Sequence, residues 1–140
     1  MRLLVSCLAA LCVVICSLAD AHADTYPKNP RVDVIDYRFA LDLGDADDRI
    51  VGTADIEVQF AGDEERLRFD LVNHEPSSGK GMTVSAVSVD GAPATFTHRD
   101  HAVVVQLPRR FAKGERLQLR IAYASQQAVG AYTQFSFLVE

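Results

Sequence analysis

Apolar and polar residues alternate with a period of two through most of residues 32–123. Successive side chains of a β-strand point to opposite faces, so this alternation is typical of strands that bury one face and leave the other in water. The first stretch places Tyr37, Phe39, Leu41 and Leu43 on the face predicted to be buried. A helix would need an apolar period of 3.6 residues, and no segment shows one convincingly.

Further alternating stretches predict the remaining strands. They are residues 50–60, 66–71, 83–89, 94–97, 103–107 and 117–123. Turns are predicted at 44–48, at the polar stretch 73–81, at Asp90-Gly91, and at 108–114, with Phe111 folding back onto the sheet. The pattern therefore predicts an all-β fold of about seven to eight strands, either an antiparallel β-sandwich or a saddle-shaped pair of sheets.

The first 23 residues have the composition of a secretory signal peptide. Arg2 supplies one positive charge, residues 3–18 are mainly apolar, and small residues follow. The apolar run of about 16 residues is shorter than the roughly 20 needed to span a bilayer, which favours a cleaved signal over a membrane anchor. We therefore expect export to the periplasm or the extracellular space.

Cleavage is expected before Asp24, because Ala21-His22-Ala23 has the small residues that signal peptidases require; Ala19-Asp20-Ala21 is a second match. Residues 24–31, which contain two prolines, then form an extended lead-in to residues 32–125. That stretch has the length of one domain, and residues 126–140 follow as a short, truncated tail.

Charge and cysteine content limit the remaining classes of function. All three cysteines (Cys7, Cys12 and Cys16) lie inside the signal, so the exported chain is expected to have no disulfide. The net charge of −5 argues against nucleic acid as a partner, since phosphates require a basic patch. The sequence after the signal contains no basic amphipathic helix, so it does not predict membrane attachment after signal cleavage.

The histidines do not form a recognisable metal motif. His74-Glu75 is followed by Pro76 and lacks the second histidine that a zinc-binding His-Glu-x-x-His helix requires. His98 and His101 have a spacing that places their rings on opposite faces of a strand, which favours solvated turn residues over metal ligands.

Other catalytic and binding patterns are also incomplete. Residues 77–80 lack the rest of a phosphate-binding loop, and no Gly-x-Ser-x-Gly motif exists. Asp45, Asp47 and Asp48 resemble half of a calcium loop but lack its glycine and distal glutamate, which favours a polar hairpin turn. Tyr37 and Tyr123 are in phase with the core. We therefore predict no catalytic, cofactor-binding or metal-binding residue in this chain.

The order of the strand sequences resembles the N-terminal β domain of the M1 family of zinc aminopeptidases. The resemblance covers about residues 30–125 and rests on segments 34–43 (VIDYRFALDL), 50–56 (IVGTADI), 67–71 (LRFDL), 84–91 (VSAVSVDG), 98–108 (HRDHAVVVQLP) and 114–123 (GERLQLRIAY). Each segment is weak alone, and the ordered set is the specific signal.

The resemblance implies a role within a zinc metallopeptidase. In that family a separate catalytic domain carries Gly-x-Met-Glu-Asn and His-Glu-x-x-His, neither of which occurs in these 140 residues. The zinc would therefore belong to a catalytic metallopeptidase domain or chain acting as partner, with a peptide as substrate only in that context. The family's N-terminal domain caps the active-site cleft and contributes a polar residue to substrate binding, for which Gln134 is the candidate.

Two classes of function remain open. The first is a non-catalytic N-terminal domain, or fragment, of an exported M1-type aminopeptidase. The alternative is a free-standing secreted β-sandwich whose loops, such as 73–81, bind a protein or a glycan.

Overall fold

The computed structural model describes residues 29–43 and 49–125, which form eight strands. They are β1 (Val32–Leu43), β2 (Ile50–Phe60), β3 (Glu64–Asp70), β4 (Met82–Val89), β5 (Ala92–Pro93), β6 (Phe96–Arg99), β7 (Ala102–Phe111) and β8 (Arg116–Ser125). Within these ranges there is no helix long and apolar enough to cross a membrane. The predicted all-β fold is confirmed, whereas the predicted signal peptide, the 44–48 turn and the 126–140 tail lie outside the described residues.

The strands form two antiparallel sheets. The five-stranded sheet has the order β1-β2-β8-β4-β5, and the three-stranded sheet has the order β3-β7-β6. The predicted long hairpin of β1 and β2 is confirmed, with Leu43 opposite Ile50 and Val32 opposite Phe60. The Asp90-Gly91 turn is confirmed as well, since both residues have positive φ angles of 50° and 81°.

The prediction of one strand over residues 94–97 is wrong, because the chain changes sheets there. β5 pairs with β4 in the large sheet, whereas β6 pairs with β7 in the small one. Between them, Ala94 donates its backbone N–H to Val87 of the large sheet, and Thr95 accepts one from Gln106 of the small sheet. Two adjacent residues therefore link the two sheets.

The prediction of a turn over residues 108–114 is also wrong in its first half. β7 continues to Phe111, which lies opposite Glu64 of β3, and the turn begins only afterwards. The register between β3 and β7 shifts in this stretch, so Pro108 lies where the ladder is irregular and its missing N–H is tolerated. Phe111 is buried, as its expected contact with the sheet requires.

The core lies between the two sheets and is built from the inner faces of β2, β8, β3, β4 and β7. Most of its members are apolar residues at every second position of a strand. The most buried include Ala54, Ile56, Val58, Phe69, Val103, Val105 and Ile121. The alternation read from the sequence therefore predicts which face of these strands is buried.

The predicted burial of β1 is wrong for its second half. Phe39, Leu41 and Leu43 lie opposite Ala54, Gly52 and Ile50 on the core side of the sheet, yet they are 48%, 49% and 64% exposed. β1 is the outermost of the described strands of the large sheet, and none of the strands of the three-stranded sheet packs extensively against it. We call Phe39, Leu41 and Leu43 the β1 apolar row.

Candidate functional site

The two histidines considered as metal ligands lie beside the β6–β7 turn and bond to the segment that follows β3. The His98 Nε2 lies 2.9 Å from the carbonyl oxygen of Leu71 and donates to it, because a carbonyl can only accept. The His101 Nδ1 accepts the backbone N–H of Asn73 at 3.2 Å. Each ring therefore uses one nitrogen to hold the 71–73 segment in place.

Asn73 is the centre of this arrangement. Its side-chain amide donates to the carbonyl of His98 at 3.0 Å, and its Oδ1 accepts the N–H of His101 at 2.6 Å. Asp100 and His101 have positive φ angles of 53° and 58°, which turn the His101 N–H toward that oxygen. The side chain of Asn73 thus replaces missing strand pairing at this end of the small sheet, and nothing local in the sequence signals it, since the partners are 25 and 28 residues away.

The loop after Asn73 is confirmed as irregular. His74 donates its backbone N–H to Met82, and Glu75 forms an isolated bridge with Lys80. Gly81 has φ +95°, and a Cβ there would lie 2.0 Å from the carbonyl oxygen of Asn73. His74-Glu75 therefore lies in a tight loop rather than on a helix, so it cannot act as half of a zinc-binding helix.

The described part of the chain does not fit a zinc ion. No three side chains of His, Cys, Asp or Glu among residues 29–43 and 49–125 come together as a metal-binding group. His98 and His101, the best sequence candidates, each already bond to the backbone near Asn73. Gln134 and the Asp45, Asp47 and Asp48 cluster lie outside the described residues.

A shallow groove of about 430 Å³ crosses the outer face of the large sheet. Polar side chains from four strands line it, namely Arg38, Asp55, Ser88, Gln118 and Arg120. Arg120 binds both carboxylate oxygens of Asp55, and this hydrogen bonding lowers the pKa of Asp55. Arg38 pairs with Asp36 at 2.9 Å. Because the arginines of the groove are compensated by carboxylates, it has the character of a solvated polar face rather than an anion site.

Two tyrosines, one buried and one half-buried, pack with the core rather than forming a binding surface. Tyr123 is 1% exposed, and burial raises the pKa of its hydroxyl. Tyr37 is half-buried and stacks on Phe39 with ring centroids 5.9 Å apart, and burial raises its pKa to about 12. The expected core role is thus confirmed for Tyr123, while Tyr37 packs at the margin of the core.

The β7–β8 turn is stabilised by a salt bridge above an aromatic ring. Arg109 contacts both carboxylate oxygens of Glu115, at 2.7 and 3.1 Å, and its guanidinium lies 4.0 Å from the ring centroid of Phe111. Glu115 also accepts the backbone N–H of Ala112 at 2.6 Å. The hydrogen bond from Arg109, followed by that from Ala112, lowers the pKa of Glu115 from 4.5 to about 2.

Stability is therefore expected to fall in acid partly through Glu115. A carboxyl whose pKa is lower in the folded chain stabilises the fold above pH 4.5 and loses this contribution as the pH falls toward about 2. In Glu115→Gln, the free energy of unfolding, measured by denaturant titration at a series of pH values, should depend less on pH across that interval. Glu65→Gln, which removes the nearby pair with Arg110, is the matched control. Equal pH profiles for Glu115→Gln and the wild type would contradict the assignment.

Comparison with known proteins finds solved structures that share this two-sheet fold. No protein-family model matches the sequence, and no curated protein matches it either. Solved structures do match: an M1 zinc metallopeptidase from Deinococcus radiodurans shares 24% identity with a TM-score of 0.59, covering 71% of this chain and 21% of that one. Its E323A mutant bound to a Tyr-Ser-Ala substrate gives 25% identity and a TM-score of 0.59, over the same shares.

A third solved structure has a similar fold. The E323A mutant of a two-domain M1 zinc metallopeptidase bound to L-arginine has a TM-score of 0.60 and 24% identity, covering 72% of this chain and 22% of that one. The resemblance to the M1 zinc peptidases that the sequence predicts is therefore confirmed in the fold. The chain spans about a fifth of the length of the peptidases it matches.

Proposed function

We propose that residues 32–125 act as the non-catalytic N-terminal β domain of an exported M1-type zinc aminopeptidase. The observation that carries this proposal is the match of its two-sheet fold to about a fifth of several M1 zinc metallopeptidases. In this role the domain caps the active-site cleft formed with a catalytic metallopeptidase domain or chain and helps to bind the N-terminus of a peptide. The catalytic zinc belongs to that partner.

The chemistry of the described residues supports a non-catalytic role for this part. The histidines near Asn73 and the carboxylates of the outer face are engaged in bonds that hold the fold together. The signal-like residues 1–23 support export, with the partner in the same compartment. Gln134 remains the candidate contact to the substrate.

We expect the purified chain to release no free amino acid from aminoacyl amides when zinc is added. The reason is that residues 29–43 and 49–125 provide no set of ligands that could hold the metal and leave a coordination position open. A complete M1 zinc peptidase assayed in parallel is the positive control. Zinc-dependent turnover by this chain alone, abolished by a chelator, would contradict the non-catalytic assignment.

The DNA directly downstream of the coding sequence tests the family role. A reading frame encoding His-Glu-x-x-His, open or frameshifted, supports a domain that belongs to a longer peptidase. If neither that DNA nor a neighbouring gene encodes such a motif, the role in an aminopeptidase is wrong. The alternative, a free-standing secreted β-sandwich whose loops, such as 73–81, bind a protein or a glycan, then becomes the better account.

A further inference from the structure

Among the described residues, the second half of β1 forms an edge of the large sheet. β1 is 12 residues long and lies at one end of the five-stranded sheet, so within the described residues only β2 pairs with it. Natural edge strands are commonly protected by a bulge or a proline. In β1 the irregularity lies between Val34 and Asp36, and residues 37–43 contain no proline. Their outward backbone groups are therefore suited to pairing with another strand.

The β1 apolar row runs along the same seven-residue stretch. Phe39, Leu41 and Leu43 are each about half exposed or more, although they face the core side of the sheet. An added strand would supply hydrogen bonds to the open edge and lateral apolar contacts to this row at the same time. The occupant of the edge should therefore be an extended strand with apolar residues at alternate positions.

β1 itself has that pattern, and it is complementary to a second copy of itself. We propose that two copies of this chain pair antiparallel through β1, with the twofold axis at Ala40. In this register Phe39 lies opposite the partner's Leu41, and Tyr37 lies opposite the partner's Leu43. Each aromatic ring then gains an aliphatic neighbour across the strand pair, a favourable cross-strand combination.

The charges on the outer face favour this register over one with the axis at Phe39. Arg38 and Asp42 are four residues apart, so an axis at Ala40 places Arg38 of each chain opposite Asp42 of the other. The dimer therefore contains two such pairs. An axis at Phe39 would instead place Asp36 opposite the partner's Asp42, where two carboxylates repel. Arg38 and Asp42 are both exposed. The dimer joins two five-stranded sheets into one continuous sheet. Its formation does not depend on the proposed function.

Sedimentation equilibrium of the purified full chain tests the pairing. The wild type should show a mass that rises from monomer to dimer with concentration. Arg38→Asp and Asp42→Arg each place like charges opposite one another at both symmetric positions and should raise the dissociation constant about tenfold or more. An equimolar mixture of the two variants should recover the dimer, because the carboxylates at positions 38 and 42 of one chain then meet guanidinium groups of the other. Lys113→Glu, a charge reversal in the β7–β8 turn, should leave the dissociation constant unchanged.

Several outcomes would overturn the proposal. A wild type that remains monomeric at every concentration excludes the dimer, and failure of the mixed variants to associate excludes this register. If deletion of residues 126–140 converts a monomer into a dimer, that segment occupies the edge instead. Thermal melting checks that each variant is folded, and Leu41→Lys, at an exposed position, must also weaken association.

Discussion

Replacing Phe60 with alanine is expected to lower the free energy of unfolding by about 3–5 kcal/mol. Phe60 ends β2 in the large sheet and is 1% exposed. Its ring stacks on Phe111, at the end of β7 in the small sheet, with centroids 5.0 Å apart. Truncation removes apolar burial and leaves a cavity where the two sheets meet, because a backbone that pairs on both sides cannot collapse into the space. Denaturant titration followed by circular dichroism measures the loss.

Phe39→Ala is the matched control, since it removes the same side chain from the same side of the same sheet. Phe39 is 48% exposed, so we expect a loss of about 1 kcal/mol or less at concentrations where the chain is monomeric. A large difference between the two variants would show that burial, rather than position in the alternating pattern, determines the energetic contribution. Equal losses would mean that the β1 apolar row is covered in solution, which would contradict the exposure of these side chains.

Replacing Gly52 with alanine is expected to destabilise the protein by about 1–3 kcal/mol, although alanine is ordinarily the better residue in a strand. Gly52 lies opposite Tyr123 in the β2–β8 pair, and the tyrosine ring covers it. A Cβ at position 52 would lie 2.7 Å from two ring carbons of Tyr123 and 2.8 Å from its hydroxyl oxygen. Tyr123 is 1% exposed, so the ring has little room to move aside without shifting its neighbours.

A double-mutant cycle with Tyr123→Leu isolates this contact. In the Tyr123→Leu background the clash is removed, and Gly52→Ala should become neutral or stabilising by about 0.5–1 kcal/mol, as expected for replacing glycine in a strand. Thr53→Ala, at the next position on the outer face, is the local control. Additive effects of the two substitutions would show that the ring of Tyr123 does not determine the requirement for glycine.

Much of the fold was predictable from the sequence because strand formation and facing are local properties. The alternation in residues 50–60 and 117–123 predicts β2 and β8 and the buried face of each. Asp90-Gly91 predicts a tight turn, since both residue types tolerate positive φ. The predicted strand bounds were wrong where the backbone departs from regular pairing. Pro108 suggested a turn because proline has no N–H for a regular strand pair. The shifted register that tolerates it depends on the pairing of β7 with β3, which the local sequence does not indicate.

The candidate sites were less predictable, since they depend on residues far apart in the chain. The spacing of His98 and His101 argued against a metal pair, but nothing in that spacing indicated that both rings hold the segment around Asn73. The pairing of Arg109 with Glu115 is close in sequence, yet its position over Phe111 arises only because β7 continues to residue 111.

The sequence by itself determined the class of fold, most of the strands, the face that each of these presents to the core and the resemblance to M1 peptidases. Each of these follows from the two-residue period of the strand or from an ordered set of local segments. Only the tertiary structure decided which apolar positions are covered, because coverage depends on how far the second sheet extends across the first. Phe60 and Phe39 have the same place in the alternation, but the small sheet covers Phe60, whereas Phe39 is about half exposed. For the same reason the glycine at position 52 is explained only by Tyr123, which the fold brings beside it from 71 residues further along the chain.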